Sequence, residues 1–318
     1  MQINKVFISG AAGFIGSHLS EFLFKNYPES EFILFDKLTY AANIKFLNSI
    51  INSKRVKFIK ADLVDYDKLL RSLKNVDLAI NAAAESHVDN SFGNSLLFTK
   101  TNTLGTHCFL EACRVNKVKK IIHVSTDEVY GQNLGKPFKE SRFLNPTNPY
   151  SASKAGADML VNSYVHSFKI PIITVRANNI FGTRQYPEKL ISKTIYNLIN
   201  KKKMTIHGKG NYYRFYLSVY DFCDAILILI KYGKNANIYN IGANKCFKIT
   251  TVVKIICKSL KKNFKKNVKY IKTRPFNDKV YKVSSSKLRK LNWNARRDLR
   301  NEINEICQWY KKNFRLFK

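Results

Sequence analysis

Three short stretches of the 318-residue chain combine side chains that could move protons or hold an anion. Val124-Ser-Thr-Asp-Glu-Val-Tyr-Gly131 sets the hydroxyl of Thr126 beside two carboxylates, Asp127 and Glu128. The hydroxyl can bind a sugar hydroxyl while the acids divide the parts of general acid and general base, since each ionised carboxylate disfavours ionisation of the other. A turn with two solvated acids is the plainer reading, but it does not explain why they end an apolar strand with no helix to cap. Tyr150-Ser-Ala-Ser-Lys154 places a phenol and an ammonium one helical turn apart on one face. The ammonium can lower the phenol pKa and hold a ribose while the phenol exchanges a proton with substrate. Gly10-Ala-Ala-Gly13-Phe-Ile-Gly16 follows the first apolar run. Glycines there let the backbone turn tightly, approach a pyrophosphate and pack the next helix, whose amides face the anion.

These residues need a rigid frame, and the first half of the chain supplies one. Apolar runs at Lys5 to Ser9, Glu31 to Asp36, Val56 to Ala61, Leu78 to Ala82, Lys120 to Ser125 and Ile170 to Val175 alternate with helix-period stretches starting near Phe14, Asp65, Ser95 and Tyr150. Regular βα alternation predicts a doubly wound parallel α/β sheet of Rossmann type. Asp36 then ends the second strand, where a carboxylate accepts adenosine ribose hydroxyls and repels a 2′-phosphate, so NAD is favoured over NADP, with Lys37 beside it as the opposing sign. Asp62, ending the third strand, could meet the adenine amino group or serve a helix start. The expected division is a dinucleotide-binding domain over residues 1–178, rejoined by about 212–240, and a smaller α/β substrate domain over 179–318. Helices are expected there at Pro187 to Asn200 and Thr250 to Lys262.

The Gly-x-x-Gly-x-x-Gly spacing and the Tyr-x-x-x-Lys pair resemble the extended short-chain dehydrogenase/reductase superfamily. With Ala82-Ala-Ala-Glu-Ser-His-Val-Asp-Asn90, Asp36-Lys-Leu-Thr-Tyr-Ala41, Asn145-Pro-Thr-Asn-Pro-Tyr150, Gln185-Tyr-Pro-Glu-Lys-Leu190 and Arg274-Pro-Phe-Asn-Asp278, the chain resembles the nucleoside-diphosphate-glucose 4,6-dehydratases, typified by the dTDP-glucose enzyme, from end to end. The resemblance implies a redox cycle closed within one turnover. Tyr150 would take the 4-hydroxyl proton as C4 gives hydride to NAD, Glu128 would remove the C5 proton, Asp127 would protonate the departing C6 hydroxyl, and hydride would return to C6. Thr126 would orient the 4-hydroxyl. The same resemblance assigns Gly10, Gly13, Phe14, Ile15, Gly16, Asp36, Lys37, Leu38, Thr39, Asp62, Leu63, Ala82, Ala83, Ala84, Thr101, Tyr150 and Lys154 to NAD. It assigns Ser86, Thr126, Asn179, Lys189, Leu190, Arg214, Asn240, Arg274 and Asn277 to the substrate. The pattern is broken at Asn178-Asn-Ile-Phe-Gly182, where Ile180 replaces an Asn, at Arg214-Phe-Tyr-Leu-Ser-Val219, and at Thr273, which replaces an acid. His87 is read as a satisfied loop histidine. The 4-epimerases and UDP-glucuronate decarboxylases share the loop and the Tyr-Lys pair but do not need adjacent acids after the Thr.

Which base the substrate carries is open. Arg274 to Asp278 and Asn179-Ile180 resemble UDP-glucose dehydratases of UDP-rhamnose synthesis, Asp36 to Tyr40 and Glu85-Ser86 the dTDP enzymes. Fifty-five Lys and Arg against 22 Asp and Glu give a net charge of +33, concentrated at the end: residues 1–100 carry +2 and residues 245–318 carry +19. A polyanion partner is therefore the rival from another class. The lysines of the cluster Lys261, Lys262, Lys265 and Lys266 lack interleaved aromatics, and abundant Lys, Asn, Ile, Phe and Tyr fit AT-rich coding, so nucleic acid is not expected as the main partner. No apolar run approaches the roughly 20 residues of a membrane span, and Met1 to Phe7 lacks the features of a secretory signal, so the cytoplasm is the expected location; a homodimer is the expected assembly. Six cysteines show no metal or disulfide spacing and read as reduced, buried thiols, with no metal expected.

Overall fold

The computed structural model describes residues 2–272 and 278–317. Its main layer is a seven-stranded, all-parallel sheet. The strands are β1 (Lys5–Ser9), β2 (Glu31–Asp36), β3 (Val56–Lys60), β4 (Leu78–Asn81), β5 (Lys120–Thr126), β6 (Ile172–Ala177) and, after a long excursion, β10 (Asn237–Ile241). They lie in the order β10-β6-β5-β4-β1-β2-β3. Strands covered on both faces read as continuous apolar runs, and every residue of β4 and β6 is buried. The order reverses between β1 and β4, and the carboxyl ends of those strands open a crevice.

Local chemistry aims the elements at that crevice. Gly10 leaves β1 at φ +67°, and the helix Phe14–Asn26 starts from Gly13 with no side-chain cap. The helix Pro149–Phe168 begins with Asn148 and Ser151 capping each other reciprocally and proline in its first turn, and ends at Lys169 in the left-handed conformation. This start puts Tyr150 in the first turn and Lys154 one turn further. Thr126 caps a short 3₁₀ turn, Asp127–Tyr130, by accepting the Glu128 amide at 3.2 Å. The acids therefore do open a helical turn, contrary to the expectation from sequence. They are buried rather than solvated, Asp127 being 1% exposed and Glu128 9%.

Beyond Ala177 the chain builds two small sheets. β7 (Asn179–Phe181), β9 (Tyr213–Ser218) and β11 (Cys246–Lys248) form one, ordered β11-β9-β7, and β8 (Met204–His207) pairs in parallel with β12 (Val268–Ile271) in the other. Helices Leu190–Ile199, Ile249–Ser259 and Leu299–Asn313 pack into a second apolar core. The return expected from about residue 212 is divided. β9 stays in the small sheet, and the main layer is re-entered only with the helix Val219–Tyr232, packed on Phe14–Asn26, and β10. All six cysteines are free; four are buried, Cys108 is partly exposed and Cys246 is exposed. Among the described residues no helix is long and apolar enough to cross a membrane, and no group of His, Cys, Asp and Glu could hold a metal ion.

Candidate active site

One continuous cavity of about 410 Å³ runs along the crevice. At one end it is lined by Gly10, Gly13, Phe14, Ile15, Gly16, Asp36, Lys37, Thr39, Asp62, Leu63, Ala82, Ala83, Ala84 and Thr101. At the middle stand Thr126, Asp127, Glu128, Tyr150 and Lys154, and towards the small sheets Ser86, Asn179, Lys189, Leu190 and Arg214. Two expected contacts fall outside this lining. Leu38 turns away at φ 59° and contributes only its amide, which donates to Asp36 Oδ1 at 2.7 Å. Asn240 is fully buried, its Oδ1 accepting from the Tyr130 hydroxyl at 2.9 Å and its amide donating to the Phe138 carbonyl, so it joins strand to loop rather than facing a ligand. Arg274 and Asn277 lie outside the described residues. His87, read from sequence as satisfied, lines the cavity instead with Nδ1 unpartnered.

The glycine loop has the shape an anion needs. A Cβ at Gly10 or Gly16 would strike backbone, whereas one at Gly13 would meet only the Gly10 carbonyl oxygen, at 3.3 Å. The open side of Gly13 and the uncapped helix amides thus form a cradle that fits a dinucleotide pyrophosphate. Asp36 accepts the Ala12 and Leu38 amides, and burial raises its pKa against those bonds. The Lys37 ammonium pairs with Asp62 at 2.7 Å, so its charge is engaged by a carboxylate rather than left for a 2′-phosphate. Two contacts bridge the walls of the cavity: the Tyr40 hydroxyl donates to Glu188 at 2.8 Å, and the Lys189 ammonium donates to the Ser86 carbonyl.

At the centre, burial and then the Glu128 carboxylate push the pKa of Asp127 up to about 7. A carboxyl whose proton is held in this way can serve as the acid of an acid–base pair. Burial pushes Lys154 down to about 8, and its ammonium donates to the Val124 carbonyl at 2.7 Å. Burial, followed by Glu128, raises the Tyr150 phenol. Desolvation of a fully enclosed phenol acts against its ionisation, and the Lys154 ammonium that could offset this is held on a carbonyl.

Sequence reading missed the residues behind this wall. Asn102, in a π-helical segment (Thr99–Leu104), exchanges hydrogen bonds with the Glu85 backbone at 2.9 Å and donates to Ser153, tying the loop after β4 to the catalytic helix. Asp158, one turn beyond Lys154, pairs with Arg176 at 2.8 Å beside His123. Burial alone would raise Asp158, but His123 and Arg176 bring it down to about 2. Asn178 donates to Asp127 at 2.5 Å.

Residues 7–306 match the GDP-mannose 4,6 dehydratase family. The chain belongs to it. Among curated relatives of this dehydratase-family chain, dTDP-D-glucose 4,6-dehydratase of Dictyostelium discoideum is 41% identical over 98% of the chain and 82% of its own length. A trifunctional UDP-glucose 4,6-dehydratase/epimerase/reductase of Arabidopsis thaliana is 42% identical over 97% of the chain, which spans about half of that protein, 47%. The crystal structure of dTDP-glucose 4,6-dehydratase from Streptomyces venezuelae, with NAD bound, superposes with a TM-score of 0.94 at 32% identity, covering 97% of both chains. The Streptomyces structure shares the architecture that carries Thr126, Asp127, Glu128, Tyr150 and Lys154 in the chain described here.

Proposed function

We propose that this protein is an NAD-dependent lyase that converts dTDP-D-glucose to dTDP-4-keto-6-deoxy-D-glucose and water. The observation that carries the reading is the pair Asp127 and Glu128, buried side by side on the wall that holds Tyr150 and Lys154, with burial and Glu128 favouring a proton on Asp127. A 4-epimerase or a decarboxylase has no use for such a pair. Gly10, Gly13, Phe14, Ile15 and Gly16 would hold the pyrophosphate of NAD, Asp36 and Asp62 the adenosine end, and Tyr150 and Lys154 the nicotinamide ribose. Bound there, NAD supplies reversible two-electron oxidation of the sugar. Tyr150, ionised beside the Lys154 ammonium, accepts the proton of the 4-hydroxyl, which Thr126 orients. The new ketone acidifies C5, Glu128 takes that proton, and Asp127 gives its own to the C6 hydroxyl, which departs as water; the hydride lost from C4 is then regained at C6 as Glu128 returns its proton to C5. C4 is oxidised and C6 reduced, so no external reductant is consumed. Residues 1–178 with the returning segment would serve the cofactor and the remainder the sugar nucleotide.

UDP-glucose is the second substrate to weigh, because relatives bearing either base in their names match at similar identity. Purified protein incubated in parallel with dTDP-glucose and UDP-glucose should give a 4-keto product, read by its alkaline absorbance, with the preferred base giving the faster rate. Stoichiometric NADH accumulation would sink the reading in favour of a simple dehydrogenase. Exposed apolar residues on two neighbouring helical stretches, Leu96, Leu104 and Met159, suit a homodimer, which light scattering can check.

The substrate diphosphate is assigned to Arg214 and Arg274. Arg214 lies over the Tyr281 ring at 4.9 Å and donates to the Tyr213 carbonyl at 2.8 Å, which holds its planar fork in one place. Arg214→Ala should raise the KM for sugar nucleotide at least tenfold, the scale of one charged hydrogen bond. Neutralising Lys261, Lys262, Lys265 and Lys266 together should leave KM within about twofold, as solvated charges contribute little. Steady-state kinetics giving the reverse ranking would place the diphosphate on the wrong surface.

A further inference from the structure

Asp127 is gripped by a residue from outside both catalytic segments. Asn178 lies between β6 and β7 and is 3% exposed. Its Oδ1 accepts the Ala243 amide at 2.9 Å, and its Nδ2 donates to Asp127 Oδ2 at 2.5 Å. The orientation of the side-chain amide follows from these partners: the Ala243 N–H can only donate, so the oxygen must face it and the NH₂ must face the carboxyl. An NH₂ group accepts nothing, so a proton on Oδ2 would oppose a donor at hydrogen-bonding distance. When Asp127 is protonated, its proton is left to Oδ1: the Thr126 hydroxyl that the sugar is to meet donates to this oxygen at 3.3 Å, but unlike an NH₂ group a hydroxyl can turn and accept instead.

We propose that Asn178 is a positioning residue that confines the Asp127 proton to Oδ1, the oxygen on the Thr126 side, and so aims the acid that expels water. The proposal rests on the dehydratase reading. It has two consequences of opposite kind. The NH₂ donor favours the ionised carboxylate, so its loss lets Asp127 stay protonated to higher pH. Losing it also frees the proton to settle on either oxygen, so the better-protonated acid delivers its proton less often. Other charged or titratable groups facing Asp127 are Glu128 on its own turn, Arg214 from β9 and Tyr150 from the catalytic helix, and the substitution removes none of them.

The test uses Asn178→Ala, and Asn178→Asp as the variant that keeps an acceptor for Ala243. Elimination in both should fall roughly 10- to 100-fold in kcat with KM for the sugar nucleotide within about twofold, since one hydrogen bond to a charged group is at stake. Single-turnover oxidation at C4, followed by nicotinamide absorbance, should keep its wild-type rate. In the alanine variant the basic limb of the kcat profile should move up by about one pH unit. A second readout does not depend on turnover. The infrared carbonyl band of protonated Asp127, identified by its loss in Asp127→Asn, should disappear near pH 7 in wild-type protein and about one unit higher in Asn178→Ala. An unshifted band, or wild-type kcat in both variants, overturns the proposal. A shifted band in a protein whose wild type makes no 4-keto-6-deoxy sugar would instead uphold the Asn178–Asp127 coupling and remove the dehydratase reading.

Discussion

Tyr150→Phe should cut turnover by roughly 10² to 10⁴, the usual loss for one acid–base group. The first chemical step should disappear, because no other phenol or carboxylate can take the 4-hydroxyl proton from that place in the helix. Glu128→Gln should be equally slow in product formation and differ in where it stops. The amide keeps the size and the backbone bond to Thr126 but cannot accept the C5 proton, so oxidation at C4 proceeds and elimination fails. Rapid-mixing absorbance at the reduced nicotinamide band separates the two: silent in Tyr150→Phe, a persistent burst in Glu128→Gln. Full 4-keto-6-deoxy product from Glu128→Gln would remove that carboxylate from the base role.

Gly16→Ala should be the most damaging single methyl in the amino-terminal half. Its Cβ would stand 1.9 Å from the Gly10 carbonyl oxygen and 2.9 Å from the Ala11 Cα, so backbone must part from backbone where no rotamer can yield. Overpacking that side chains can absorb costs about 1–3 kcal/mol, and this case belongs at or above the upper end. The melting temperature should drop by roughly 5–10 °C and the protein should emerge from gel filtration without nicotinamide cofactor. Gly13→Ala is the control, since its new methyl would touch only the Gly10 oxygen and otherwise enter the anion cradle. It should melt within about 2 °C of wild type yet lose cofactor too. Wild-type melting in Gly16→Ala would refute the packing argument.

Much of this was legible before the structure because the signals are local. β1 and β2 fall where the apolar runs of Lys5 to Ser9 and Glu31 to Asp36 place them, and Asn148-Pro149 marks the start of the catalytic helix. The small sheets were not legible. β7 and β11 have three residues each, and β8 finds its partner only across the helix Ile249–Ser259, so their pairing is decided by tertiary packing rather than by any period in the chain. At the site, motif residues announced themselves by spacing, whereas Asn102 and Asp158 are single polar residues without a pattern, and Asn178 stood in a broken motif that gave it no role of its own. His123 and Arg176 did leave a trace: His123 interrupts the apolar run of β5, and Arg176 follows directly on the run Ile170 to Val175, inside β6, where a charge must find a partner.

The position of β10 bears on how the protein can be made. Until Ile241 has left the ribosome, β6 presents an unpaired parallel edge, and all six of its residues are buried in the finished molecule. Between Ala177 and Asn237 the chain must run through the segments of β7, β8, β9 and two helices before it can close that edge. Such a non-local closure is slow, and an open apolar edge is a template for other chains in the meantime. A fragment ending before Asn237 would therefore expose an adhesive strand even though it holds the glycine loop, the two acids and the Tyr-Lys pair, and the two halves of this enzyme are poor candidates for separate expression.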